Sequence, residues 1–375
     1  MSNKVITIIG ITTILLIVSI LPSIPANSET NYLDEYDKEL ELFGPISKNA
    51  NDFNKFNSTT IKSVNEHNAN SILVIDSDTV TQSTLSKSIT DLINDGNKTV
   101  IIKPTDDCRA TLSEQLQFFV DDENSDLIAF ESLDNNTKIT YSVGGFESIE
   151  ESIIELYELM DSSGDSASLT GITDSYISTY TYNCGSFGKI TGRTFYHKIA
   201  GTSSTYDFYL VHYAIQGICN DGYSKSLLGV SSDLHAAEPL VQGQMLIDYQ
   251  PTTSSGTTTI SFGAGVGAGI DTNLTGSATA TFSASWSHSY SDVDTIDDSD
   301  FDYDYFKISY DIDECTNSGY HTLKIEPGLV VATLQNEGAY LASETYFGTF
   351  CNVVIHGYWH NNFTNFSFDK TVTIS

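Results

Sequence analysis

Residues 260–286 read Ile260-Ser-Phe-Gly-Ala-Gly-Val-Gly-Ala-Gly-Ile270, then Asp271-Thr-Asn-Leu-Thr-Gly276, then Ser277-Ala-Thr-Ala-Thr-Phe-Ser-Ala-Ser-Trp286. The even positions (Ile260, Phe262, Ala264, Val266, Ala268, Ile270, Ala278, Ala280, Phe282, Ala284, Trp286) are apolar, and the odd ones are only Gly, Ser or Thr. A period of two over both arms is the mark of a β-strand with one apolar face. The polar turn between the arms makes the segment a hairpin. No Lys, Arg, Glu or Asp falls on either arm. A flat, uncharged outer face is an aggregation hazard unless it is covered or built to assemble.

Working outward, the flanks are β-rich as well. Alternation predicts strands at 176–182, 189–199, 206–215, 245–249, 303–312, 321–325, 329–334, 353–359 and 366–374. Residues 171–375 are therefore expected to form a mainly antiparallel, β-sandwich-like domain carrying hairpin 258–290. Residues 71–160 alternate instead between short apolar runs (72–75, 99–102, 127–130, 138–143) and helical periods (Leu85, Ile89, Leu92, Ile93; 112–119; Ile149, Ile153, Leu156, Tyr157). They predict a small α/β module, so the fold class is α+β. Asp161 to Ser168 reads as a linker by composition, and 27–70, polar and Asn-rich, as a linker or pro-region.

Residues 1–26 have the form of a signal peptide: Lys4, an uncharged run from Val5 to Leu21, then Pro22, Pro25 and Ala26. At 17 residues the run is at the short limit for a spanning helix. Export makes disulfides plausible. Of the five cysteines, Cys184, Cys219, Cys315 and Cys351 lie in the β-rich part and allow three connectivities. The expected pairs are Cys184–Cys219 and Cys315–Cys351, each tying neighbouring strands, with Cys108 left over. Sequons stand at Asn57, Asn97, Asn135, Asn273, Asn362 and Asn365, candidate glycan sites on an exported chain.

The formal charge of −32 excludes nucleic acid as a partner, since phosphates call for Lys and Arg. It also opposes electrostatic docking on anionic lipid. Seven carboxylates fall between Asp292 and Asp304, and Asp298, Asp300, Asp302 and Asp304 share parity. They are candidate Ca²⁺ ligands without EF-hand spacing; the plainer reading is a solvated acidic loop. No other cofactor is expected. Tyr358 and Trp359, between His356 and His360, are candidates for a glycan-binding surface, or for core packing. Asp76-Ser-Asp78 after an apolar strand, with Asp121-Asp122 further on, resembles the acidic motifs of haloacid-dehalogenase-type phosphatases; an Asp at a strand end is more often a helix cap. No G-x-S-x-G, H-E-x-x-H or Gly-rich phosphate loop is present.

The hairpin resembles the membrane-inserting hairpin of leukocidin- and aerolysin-like β-barrel pore-forming proteins, over roughly 240–312. Its arms have 11 and 10 residues, and a tilted strand crossing a bilayer needs about 9–11. The resemblance implies a secreted protein that oligomerises on a target membrane. Ile260, Phe262, Val266, Ile270 and Phe282 would face lipid, and Trp286 would sit at an interface. The alternative is a secreted or cell-surface β-sandwich that binds a glycan or protein without forming a pore, because sandwich strands alternate in the same way. A phosphatase-like hydrolase is the third reading.

Overall fold

The computed structural model describes residues 36–45, 53, 56–80, 83–116, 120–121, 125–132, 138–165, 172–199, 206–219, 225–236, 245–250, 257–262, 284–289, 294–297, 299–300, 305–311, 322–334, 340–352 and 362–374. The chain is mostly strand with a few helices, an α+β protein with a mainly β half.

Strands β1 (Tyr36–Phe43), β2 (Phe56–Thr60), β3 (Ile72–Asp76) and β4 (Thr99–Ile102) lie parallel in the order β2-β1-β3-β4. The apolar runs of β3 and β4 are unbroken because both of their faces are covered. Phe43, Leu73, Ile75 and Ile101 face α1 (Ser77–Val80), α2 (Ser83–Asn94) and α3 (Asp106–Gln115). Leu40, Leu42, Ile72, Val74 and Val100 face α4 (Ile149–Asp165). Helix α2 ends where Gly96 takes a φ of +86°, a conformation open to glycine.

Three expectations change here. Residues 27–70 were expected to be a linker or pro-region, but β1 is an interior strand and Leu40, Leu42 and Phe53 are fully buried. The short amphipathic stretch in this polar region supplies the strand, through Leu40, Leu42 and Phe43. Helix α3 begins at Asp106 rather than Leu112, because the Thr105 hydroxyl accepts from the Cys108 N–H (3.3 Å) and Asp106 and Asp107 occupy the positive first turn. Helix α4 runs through Asp165, into the expected linker.

That last change joins the two halves. Strand β5 (Val120–Asp121) leaves the module, and β6 (Leu127–Ser132) and β7 (Lys138–Gly144) extend its sheet antiparallel to β4 and to each other. Strand β8 (Ile172–Asn183) then pairs parallel with β7, from Lys138↔Asp174 to Gly144↔Tyr180. A parallel pair requires a crossover, and α4 is that crossover. The boundary expected between 160 and 171 therefore falls inside a β-α-β unit. Antiparallel β9 (Gly188–Ile199), β10 (Tyr206–Cys219), β18 (Gly328–Leu334) and β12 (Met245–Gln250) complete a 12-stranded sheet, with β17 (Thr322–Ile325) beside β10.

A second, antiparallel sheet has the order β15 (Asp294–Asp297), β16 (Tyr305–Asp311), β11 (Lys225–Ala236), β19 (Tyr340–Asn352), β20 (Asn362–Ile374) and β5. It packs on the first through Phe306, whose ring stacks on Tyr213 (6.2 Å) and meets Tyr249 edge-on (5.9 Å). The two-residue strand β5 pairs with the end of β20 (Val120↔Ile374), a second tie between the halves.

Candidate membrane-inserting hairpin and its supports

Strands β13 (Thr257–Phe262) and β14 (Ala284–Ser289) pair antiparallel, with Ile260 opposite Trp286, Ser261 opposite Ser285 and Phe262 opposite Ala284. Residues 260–262 of the first arm are thus paired with 284–286 of the second. The register matches apolar rows to apolar rows and hydroxyl rows to hydroxyl rows, which a one-residue slip would undo. Pairing continues outward through Thr258↔His288 to Thr257↔Ser289. His288 on the apolar row marks where that row ends. Among the described residues this pair is a sheet of its own, bonded to neither large sheet. Val266, Ile270 and Phe282 lie outside the described residues.

The hairpin leads into the acidic segment. Asp297 Oδ1 accepts from the Ser299 N–H (2.9 Å), and the Ser299 hydroxyl bonds both the N–H (3.0 Å) and the carbonyl (3.3 Å) of Lys307. These bonds close the β15–β16 turn. Asp300 is half-buried, while Asp298, Asp302 and Asp304 lie outside the described residues. Among the described residues no three His, Cys, Asp or Glu side chains converge to hold a metal. Tyr358 and Trp359 also lie outside the described residues.

The expected Cys184–Cys219 bridge is not formed: Cys184 is a free, buried thiol. Its N–H bonds the Gly188 carbonyl (2.8 Å), and Gly188 pairs on its other side with Cys219. Strand β9 therefore lies between the two cysteines. Two strand spacings separate them by about 9–10 Å, against roughly 4.4–6.8 Å between the Cα atoms of a disulfide. Burial pushes the Cys184 thiol up to about 11 and the Cys108 thiol to about 12, so neither is a ready nucleophile. Cys315 lies outside the described residues.

Of the phosphatase-like residues, Asp122 lies outside the described residues. Asp76 Oδ1 accepts from the Asp78 N–H (3.1 Å), a cap at the start of α1. Asp121 belongs to β5, on the edge of the other sheet.

Sequence reading missed a buried charge cluster that joins α4 to the β half. Arg193, on β9, donates from Nε to Glu155 Oε1 (2.7 Å) and from Nη2 to Glu158 Oε2 (3.4 Å), and the Thr179 hydroxyl donates to the same Glu155 oxygen (3.1 Å). Burial alone would lower the guanidinium's pKa; Glu155, then Glu158, reverse this and raise it. Burial, with the like charge of Glu155, raises the Glu158 carboxyl. One signal was available: the chain has two arginines, Arg109 and Arg193, and the planar fork of arginine suits interior ion pairs. A second polar group on the same sheet holds His197, with Nδ1 2.8 Å from the Ser175 hydroxyl, and Phe195 stacked between the rings of His197 and His212.

No protein-family model matches the chain, and no curated protein does. Among solved structures the chain is similar to Clostridium perfringens delta-toxin, at 11% identity over 64% of this chain and 92% of the toxin, with a TM-score of 0.35. It is similar to a structure titled pore forming protein at 11% identity over 52% and 86%, TM-score 0.31. It is also similar to the membrane-inserted form of C. perfringens NetB toxin at 9% identity over 54% and 93%, TM-score 0.26. Scores this low carry none of the reasoning that follows.

Proposed function

We propose that this is an exported β-barrel pore-forming protein whose protomers oligomerise on a target membrane and each contribute residues 260–286 to a shared barrel. The observation that carries the reading is the β13–β14 pair, whose register sets Ile260 against Trp286 and Phe262 against Ala284 and which, among the described residues, is bonded to neither large sheet. A two-stranded hairpin is marginal in water on its own. Its stability must come from further partners, and neighbouring copies in a closed barrel supply them without leaving an open edge. Arm length and the charge-free small-residue face support the same reading.

Dye release from liposomes, scored together with a detergent-resistant oligomer, tests this. Wild-type protein releases dye; Val266→Asp abolishes release while its circular dichroism and melting stay those of the wild type. Intact liposomes of every lipid composition, before and after limited proteolysis, would reject the pore and favour the glycan- or protein-binding sandwich.

A further inference from the structure

We propose that Asn57 is an N-glycosylation site and that its glycan shields the open edge of the 12-stranded sheet; the proposal rests on the export reading above. Two sequons have side chains placed in the fold, and they differ. Asn57 lies on β2, the last strand of the sheet, which pairs with β1 on one side. Phe56 is buried and stacks on Tyr157 (5.6 Å), whereas Asn57 and Thr59, the first and third residues of the sequon, are both exposed. Alternation along the strand points them to the side opposite Phe56. Asn97 is turned inward. Its Nδ2 donates to the Leu92 carbonyl at the end of α2 (3.0 Å), and Thr99, the third residue of that sequon, is fully buried at the start of β4.

The modification replaces one amide hydrogen. The Asn57 Nδ2 attacks the anomeric carbon of an oligosaccharide carried on a lipid diphosphate. A C–N bond forms, the anomeric C–O bond breaks, the lipid diphosphate leaves and the amide loses one proton. At Asn57 the product points into solvent; at Asn97 it would have to displace the cap of α2.

The location gives the glycan its use. Among the described residues β2 has no partner strand beyond β1, and Asn57-Ser-Thr-Thr60 carries neither the charge nor the proline that commonly guards an edge. Hydrated bulk anchored at the second residue of a five-residue edge strand keeps a second chain from pairing there.

The test is the full chain secreted from a eukaryotic host behind the host's own leader, followed by glycopeptide mass spectrometry and light-scattering chromatography without membranes. Asn57→Gln and Thr59→Ala each remove the sequon, the second leaving Asn57 in place. Asn57 is expected to be occupied and Asn97 empty, with both variants shifting from monomer to larger species. An empty Asn57, or occupancy of Asn97 equal to that of Asn57, overturns the site. Variants that remain monomeric overturn the shielding. A chain that is secreted behind the host's leader but not behind its own defeats the export reading, while occupancy at Asn57 is still decided.

Discussion

Arg193 shows most directly what one residue does for the fold. Its guanidinium is sunk between α4 and β9, and Glu155 accepts from it and from Thr179 at a single oxygen. Removing one partner of a buried pair leaves the other charge uncompensated, at about 3–5 kcal/mol. Arg193→Ala should lose stability on that scale in urea unfolding. Arg193→Met combined with Glu155→Leu should recover most of it, because the buried carboxylate is removed with its partner and the remaining one, Glu158, is half exposed to water. His197 makes stability depend on acid. Burial, and then the neighbouring His212, hold its folded pKa down at about 3, from 6.5. Between those values the unfolded chain binds the proton first, so the contribution is complete above pH 6.5 and is lost as pH falls toward 3. Asp126 and Glu158, raised by burial, act in the opposite direction. The informative quantity is therefore the difference between wild type and His197→Gln from pH 7 to 4, which should change by a few kcal/mol.

At the scale of elements, the hairpin makes a parity prediction that neither composition nor length would. Val266→Asp should abolish dye release, while the adjacent Gly265→Asp, on the small-residue row, should keep release and shift ion selectivity toward cations. A charge at mid-bilayer on the lipid side costs up to about 2–4 kcal/mol per strand for Lys or Arg and less for a carboxylate, a cost repeated in every protomer, while a water-filled lumen tolerates it. Strand β1 makes another. Leu40 and Leu42 are interior residues, so Leu42→Ala should cost about 2–5 kcal/mol, and a chain starting at Ile72 should fail to fold rather than be activated. Legibility differed among the elements for local reasons. Strands β3 and β4 were plain as runs of β-branched residues, and α2 by its period and its glycine stop. Strand β11 escaped because a bulge between Leu227 and Gly229 shifts its register partway along, breaking the period of two. In the candidate site, the hairpin was readable from alternation and turn, but its register was not: a turn centred on 271–276 would set Ile260 opposite Ser287, whereas the pairing sets it opposite Trp286. The Arg193 cluster was not, since its members lie 38 residues apart and meet only through packing.

For the whole molecule, one continuous sheet runs from the α/β part into the β half. Strand β7 pairs with β8, α4 packs over both, and β5 ties the first half to β20. A charge of −32 at pH 7 governs how such a body approaches a bilayer. Anionic headgroups repel it, over a Debye length of about 8 Å at physiological salt. Dye release should therefore be faster from phosphatidylcholine vesicles than from vesicles rich in phosphatidylserine, and added salt should narrow the gap. Equal rates at low salt would show that the net charge does not face the membrane.

By itself the sequence determined what is periodic or local: strands and helices where apolar residues recur at two or 3.6, the helix stop at Gly96, the hairpin at 260–286, and the net acidity. Tertiary structure decided what depends on distant partners. It put Leu40 inside a sheet, turned an expected linker into the end of a crossover helix, set β9 between Cys184 and Cys219, and closed Arg193 onto Glu155. Short-range patterns are written into neighbouring side chains, whereas strand order and buried ion pairs follow from which surfaces remain to be covered once the local elements exist.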